Sequence, residues 1–503
     1  MADTKREIER KYESDESGLP DLTGVAGVGT VIDKGVANLD AVYYDTADER
    51  LARASMTLRR RTGGSDAGWH LKVPVAPGVR DEIREPLSDA VPRSLAGLVR
   101  SRVREAELLP VVRLRSDRDV RHLVDADGAL LAEVSVDAVH AERLSDGGGT
   151  AQWTEIEVEL ADDGDPAFLD KVEKRLRKAG VRPSSSASKL ARALAETAPK
   201  KPKKRKVPPV YGEPVTAGDH VLAYVRDQRD AILELDPAVR QDAYDSVHRM
   251  RVATRRLRST FRSYGKVLDR TVTDPVGEEL KWLASELGVD RDREVMTERL
   301  TAVLAELPRT LVSGPVRTRM RTWANARRGG SRRRLIGVLD SKRYLALLDT
   351  LDALVAEPPL LPDAAGKPEK VIGKAVGKDF GKVSALVEEA IGAPPGPDRD
   401  LALHEARKKA KRTRYAAEAA TPALGTSARA LARSMKSLTG LLGEHQDSVM
   451  VRETLRELSA VAHAAGESSF TYGVLYGREE QRAAGVEAAL PGVWEEIGSG
   501  EPV

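Results

Sequence analysis

The chain contains no cysteine. Disulfides, Cys-ligated zinc and iron–sulfur clusters are therefore excluded, and a reducing cytoplasm is the expected compartment. Aromatic residues make up only 4% of the sequence, which leaves little for stacking on nucleobases. No apolar run approaches the ~18 residues of a membrane span, and the opening MADTKREIERKY is unlike a signal peptide, so no membrane partner is expected. The formal net charge is only +3 although 32% of the residues are charged, and the basic ones are clustered. Local basic stripes in a near-neutral chain point to sites for anions rather than to a generally cationic protein. A length of 503 residues implies two or three domains.

Residues 1–195 read as short alternating strands divided by Gly, Pro and Asp turns. Glu7, Glu9 and Lys11 alternate in REIERKY, so a strand turns all three to one side. Thr57, Arg59 and Arg61 do the same in MTLRRR, His70 and Lys72 in WHLKV, Glu82 and Arg84 in DEIRE, and Arg113 and Arg115 in VVRLR. Glu133, Ser135 and Asp137 share a face in AEVSVD, and Glu155, Glu157 and Glu159 alternate in TEIEVEL. In any single strand this is an ordinary solvent face. The succession is more informative, with acidic sets near both ends and basic sets between them. If the sheet closes into a barrel, these faces line a lumen with carboxylates on one side and Arg/Lys on the other. Such a lumen suits a metal-complexed polyanion, because Mg²⁺ takes carboxylates plus substrate phosphates and Arg forks match phosphate oxygens.

From residue 215 onward the periodicity is helical, and it repeats. In VHRMRVATRRLRS, His248 is followed by Arg251, Arg255, Arg256 and Arg258. In LHEARKKAKRTRY, 156 residues later, His404 is followed by Arg407, Lys411, Arg412 and Arg414 at the same offsets of 3, 7, 8 and 10. Offsets 0, 3, 7 and 10 fall in one helical stripe, and here that stripe carries cations. Met250, Ala253, Leu257 and Phe261 form the opposite, apolar side. The copies extend through LKWLASELGVDRD and MKSLTGLLGEHQD, so a basic helix, an LG turn and an acid (Asp292, Asp447) recur as a unit of roughly four helices. RRGGSRRR at 327–334 reads as an exposed inter-helix loop. His248 and His404 have no carboxylate on their stripe, which makes a poor metal site and favours hydrogen bonding to phosphate.

The first half resembles the CYTH family, the triphosphate tunnel metalloenzymes. Glu7-Ile8-Glu9-Arg10-Lys11 matches its ExExK signature, and Tyr43-Tyr44-Asp45-Thr46, the LRRR and HLK strands, EIEVE and Ser188-Lys189 follow in the family's order. Members hydrolyse inorganic triphosphate or thiamine triphosphate, or cyclise ATP, with Mg²⁺ or Mn²⁺. The resemblance implies that Glu7, Glu9, Glu157 and Glu159 hold metal, with Asp137 and Glu155 as further candidates. With Lys11, the first four form the implied catalytic set. It also implies that Lys11, Arg59, Arg61, Lys72, Arg113, Arg115 and Lys189 hold phosphates; Arg84 joins them on strand parity. The family's bacterial cyclases place a His-Phe pair where this chain has Met1-Ala2, which speaks against cyclisation. The second half resembles the CHAD family of conserved-histidine helical domains, associated with inorganic polyphosphate. By that resemblance His248, Arg251, Arg255, Arg256, Arg258, His404, Arg407, Lys411, Arg412 and Arg414 line a polyphosphate track.

The expected fold is thus α+β in two domains. Residues 1–195 form an antiparallel β-barrel tunnel, residues 196–214 a Pro/Lys-rich linker, and residues 215–503 two repeated, roughly four-helix bundles (about 215–345 and 370–503). PKKPKKRKV in the linker looks like a nuclear localisation signal but is read as a tether. The expected function is a Mg²⁺- or Mn²⁺-dependent triphosphatase with inorganic triphosphate and polyphosphate as partners, and polyphosphate granules are an expected association. The competing readings are a non-catalytic polyphosphate binder, an adenylate cyclase, and nucleic-acid binding; the last is disfavoured by the scarcity of aromatics and the lack of Asn or Gln on the stripe.

Overall fold

The structure, a computed structural model, describes residues 3–14, 18–145, 147–199, 212–325 and 328–498, and among these all side chains except those of 289–294 and 328–331. The basic tether at 200–211 lies outside the described residues. The chain divides into two compact units, Met1–Val207 and Pro208–Val503.

In the first unit nine strands are described: β1 (Asp3–Glu13), β2 (Thr30–Asp45), β3 (Thr57–Thr62), β4 (Gly68–Ala76), β5 (Val79–Glu85), β6 (Leu109–Val124), β7 (Leu130–Arg143), β8 (Thr150–Leu160) and β9 (Arg182–Pro183). They pair in the order β5-β4-β3-β2-β6-β7-β8-β1, and β1 pairs back onto β5, so eight strands close into an antiparallel barrel with β9 appended to β1. Closure leaves no open edge and gives every strand an inward and an outward face.

Two stretches of the outer surface are apolar and covered by helices. Leu58, Leu71 and Ile83 pack under the helix Arg93–Val103 through Leu95, Leu98 and Val99. Val134, Ile156 and Val158 pack with Leu169, Val172 and Leu176 of the helix Ala167–Lys178. The alternation therefore places the charged residues inside. At one end the lumen is apolar as well. Leu190 and Ala193, from the helix Lys189–Glu196, pack among the inward-facing Ala41, Tyr43, Leu114, Val139 and Trp153. That helix plugs one mouth, and Ser188 caps it by accepting a hydrogen bond from the Ala191 amide.

The second unit is all helical among its described elements. The first histidine stripe lies on the helix Ser246–Ser263 and the second on Pro397–Leu424. Their apolar faces are buried as the periodicity requires: Met250, Ala253, Leu257 and Phe261 in one, and Ala406, Ala410, Ala416 and Ala417 in the other. The two helices meet, with the Tyr264 hydroxyl donating to the Ala416 carbonyl at 2.7 Å.

Two expectations are corrected here. The LG segment is not a turn: Leu442 and Gly443 lie inside the continuous helix Thr426–Ala464, and in the first copy the helix Gly288–Ala305 starts immediately after Arg270–Glu286 and Leu287. RRGGSRRR is not a loop either, because Arg328–Asp340 is helical.

Candidate functional site

The barrel encloses a chamber of about 300 Å³ whose lining includes Lys5, Glu7, Glu9, Lys11, Tyr43, Arg59, Arg61, Lys72, Glu82, Arg118, Glu157, Glu159 and Lys189. Register places opposite charges side by side at three positions, with Lys11 across from Glu157, Lys72 across from Glu82 and Arg118 across from Asp137, while Glu9 stands across from a second carboxylate, Glu159. Burying this many charges is tolerable only because each is partnered.

The partners fall into three groups. Lys189 Nζ lies 2.9, 2.7 and 2.6 Å from carboxylate oxygens of Asp137, Glu155 and Glu157. Arg118 forks onto Asp137 at 2.8 Å and reaches Glu157 at 2.9 Å. Lys11 bonds Glu157 and sits 3.3 Å from Glu9. Across the chamber Lys72 pairs with Glu7 at 2.5 Å, and Glu82 receives His70 Nδ1 at 2.9 Å and Arg84 at 2.5 Å. Arg59 lies 3.6 Å from Glu82, and Arg61 pairs with Asp66. Near the unplugged end Lys5 holds Glu159 at 2.7 Å.

These neighbours set the protonation states. Burial by itself would raise Glu9, but the Lys11 and Lys72 ammoniums outweigh it and carry the group down to about 2. Glu157 is also held well below the usual carboxylate range, since Lys11, Lys189 and Arg118 overcome its burial. Glu7 goes the other way: burial raises it, and Lys72 offsets that only in part. His70 is pushed down to about 4, chiefly by burial, despite its bond to Glu82. The chamber thus holds anionic Glu9 and Glu157 against cationic Lys72, Arg118 and Lys189 at neutral pH.

The structure brings Glu7, Glu9, Lys11, Arg59, Arg61, Lys72, Arg84, Asp137, Glu157, Glu159 and Lys189 to this lumen. It does not bring Arg113 and Arg115 there. Arg113 forks onto Asp40 at 2.9 and 2.5 Å, and Arg115 is 53% exposed. The cause is the plug. At that end β6 turns Val112 and Leu114 inward against the plugging helix, which leaves Arg113 and Arg115 on the outer face. Further along the same strand the inward parity reaches Arg118, which the reading of VVRLR alone missed; following the alternation through Arg118 would have found it. A metal fits part of the expected set. Asp137, Glu155 and Glu157 each offer a carboxylate oxygen within 4.8 Å of the others, a hard-oxygen donor set of the kind Mg²⁺ and Mn²⁺ accept, and an ion held there would displace the Lys189 ammonium from the same three carboxylates. Glu7, Glu9 and Glu159 do not belong to that cluster: Glu7 pairs with Lys72, Glu159 with Lys5, and Glu9 shares Lys11 with Glu157.

In the helical unit all ten stripe residues are half-buried. They divide into two kinds. Arg256 pairs with Glu418 at 2.9 Å and Arg412 forks onto the buried Asp379, so these two tie helices together, while Arg414 pairs with Glu418 at 2.8 Å within its own helix. Arg258 is half-buried beside Arg262 and Glu278. Arg251 and Arg255 from the first copy converge with Arg407 and Lys411 from the second. Lys411 is consequently depressed to about 8, first by burial and then by Arg407, Arg255 and Arg251, with Asp447 pulling against them. Glycine makes the approach possible: a Cβ at Gly288 would lie 2.7 Å from the Arg251 guanidinium, and Gly443 is likewise crossed by Arg407 at 3.6 Å. His404 Nδ1 meets Gln446 Oε1, which orients the ring. Asp447 lies mid-helix, 3.6 Å from Arg299, so it orders arginines rather than capping a helix. The Asp292 side chain lies outside the described residues.

The family model for the CYTH domain matches residues 5–194, and that for the CHAD domain matches residues 223–456. Uncharacterized proteins from two strains of Mycobacterium tuberculosis are 40% identical, over 96% of this chain and 95% of theirs. Among solved structures, PptA from Streptomyces chartreusis is 19% identical over 56% of this chain and 100% of its own, with a TM-score of 0.46. The CHAD domain from the plant Ricinus communis is 21% identical over 60% of this chain and 99% of its own, with a TM-score of 0.45. No described helix is long and apolar enough to cross a membrane. With its plugged, charge-lined barrel followed by paired histidine helices, the chain belongs to the proteins that join a CYTH domain to a CHAD domain.

Proposed function

We propose that the barrel is a divalent-metal-dependent triphosphatase and that the helical unit binds inorganic polyphosphate. One observation carries the reading: a chamber lined by acidic Glu7, Glu9 and Glu157 together with Lys11, Arg59, Lys72, Arg118 and Lys189, and plugged at one end. The cations match a short polyphosphate, and the plug favours entry of a free chain end. Mg²⁺, held by Asp137, Glu155 and Glu157, would polarise phosphoryl oxygens when bound. The protein's own groups orient the chain. Arg59 and Lys72 grip it from one wall and Arg118, Lys11 and Lys189 from the other, and attack by water takes its proton to a chamber carboxylate. Among the described residues the chamber contains no Ser/His or Cys/His nucleophile pair to form a covalent intermediate.

For polyphosphate, the supporting feature is the convergence of Arg251, Arg255, Arg407 and Lys411, in which cations outnumber carboxylates. The test assays the two units separately. Residues 1–207 should release phosphate from triphosphate with Mg²⁺, and residues 208–503 should retain long-chain polyphosphate and bind triphosphate weakly. Absence of phosphate release from triphosphate, thiamine triphosphate and ATP would refute the enzymatic part. Equal affinity of the helical unit for duplex DNA and polyphosphate at matched salt would refute the other.

A further inference from the structure

In the second helical bundle three helices converge beside the second stripe, where Gln446, next to His445, meets His404. His445 sits midway along Thr426–Ala464, Asp400 lies in the first turn of Pro397–Leu424, and Glu487 lies on Phe470–Gly498. The His445 side chain is 2% exposed, that of Glu487 17% and that of Asp400 34%. His445 Nε2 is 3.3 Å from Asp400 Oδ1 and 3.4 Å from Glu487 Oε1. The three ligand atoms all lie within 4.8 Å of one another.

We infer that Asp400, His445 and Glu487 form a site for a divalent transition metal of the Zn²⁺ class, separate from the barrel chamber. Three features support it. A single N–H aimed at two oxygens cannot bond both well, and both separations exceed the ~2.7–2.9 Å of a charge-assisted hydrogen bond. They match the edge of a tetrahedron with metal–ligand bonds of about 2.0–2.1 Å, for which neighbouring ligands stand roughly 3.3–3.5 Å apart. The second feature is orientation. Glu487 Oε2 accepts a hydrogen bond from Arg399 Nη1 at 2.7 Å, and Arg399 is anchored in turn on the Ala393 carbonyl. That arrangement turns Oε1 toward His445, as an outer hydrogen bond orients a ligating carboxylate. The third is that the constellation is absent from the internal repeat. The first copy carries Tyr244 and Asp290 where the second has Asp400 and His445, and Tyr244 is 99% exposed. Packing of the duplicated bundle does not require these residues.

One imidazole nitrogen and two carboxylate oxygens favour Zn²⁺, Co²⁺ or Mn²⁺ over Mg²⁺. Three protein ligands with one a third exposed leave a coordination position for water or an anion.

The full-length chain should be stripped with chelator, and its Zn²⁺ stoichiometry measured by equilibrium dialysis beside His445→Gln and Asp400→Asn. The wild type should hold one more Zn²⁺ per chain than either variant. Co²⁺ loading should give the intense visible bands of a four- or five-coordinate ion in the wild type alone, and Zn²⁺ should raise the melting temperature of the wild type but not of the variants. Equal stoichiometry in the three proteins would overturn the site and leave His445 as a buried ion-pair partner. Should His445→Gln fail to fold, Asp400→Asn, altered at a partly exposed position, decides. If both fail, a wild type that shows no such Co²⁺ bands overturns the inference.

Discussion

At the residue scale the barrel's chemistry is a matter of parity. The alternation in REIERKY and TEIEVEL was legible because each segment is charged along one face for its whole length. β6 was not, because its inward face changes from apolar to charged where the plugging helix ends, and nothing local in VVRLR records that helix. This difference is testable. Arg118→Met should lower kcat/KM for triphosphate by about 100-fold, the scale for removing one donor to a developing charge. Arg113→Met, which loses only a surface pair with Asp40, should leave it unchanged. Glu9 offers a second test. Its drop from the ordinary 4.5 to about 2 corresponds to about 3 kcal/mol of native stability at neutral pH. A depressed carboxylate stabilises above its unfolded value and loses that contribution as pH falls through the folded one. Glu9→Gln should therefore lower the melting temperature of the barrel at pH 7 by about 6–12 °C. The gap between the two proteins should close as the pH falls from 4.5 toward 2. Melting curves of both proteins at pH 7 and pH 3 check this.

At the element scale the repeat was legible from matching offsets, since buried registers must be kept and solvated charge need not be. The sequence did not reveal which cations of each stripe would be consumed in holding helices together. Glu418 and Asp379 take Arg256 and Arg412 in this way, and both acids lie outside the repeated motif. Nor did LG identify itself as a helix crossing, because glycine serves turns and close approaches alike. Gly288→Ala should shift the flexible end of Arg251 by its contact at 2.7 Å. Stability should change by less than ~1 kcal/mol while polyphosphate binding weakens. Gly443→Ala, with Arg407 at an ordinary 3.6 Å, should be tolerated in both respects. Isothermal titration of both variants reads the contrast.

Lys411 predicts a pH effect. Held near 8 by burial and by Arg407 and Arg255, it is partly neutral in mildly alkaline solution. A bound polyanion favours its charged form, so binding at pH 8.5 should take up protons, and affinity should decline as pH rises above 8. Titrations in buffers of differing ionisation enthalpy measure the uptake, and none would contradict the cluster. Charge reversal of Arg255 and Lys411 to Glu should weaken binding far more than neutralisation.

At the scale of the whole molecule two independently cored units each gather cations, in the barrel chamber of one and along the paired stripes of the other. The order of the two domains was legible because each carries several ordered motifs; the substrate was not, since triphosphate, thiamine triphosphate and ATP present the same phosphates to the same cations. Binding of polyphosphate by the helical unit should fall steeply with salt, because each phosphate neutralised releases condensed counterions. The central claim concerns the barrel, and phosphate release from inorganic triphosphate by the full-length chain, with Mg²⁺ and with chelator, tests it most directly. The account predicts rapid release with Mg²⁺, none with chelator, and none from Glu157→Gln under either condition. Release that persists in chelator, or in Glu157→Gln with Mg²⁺, would contradict it.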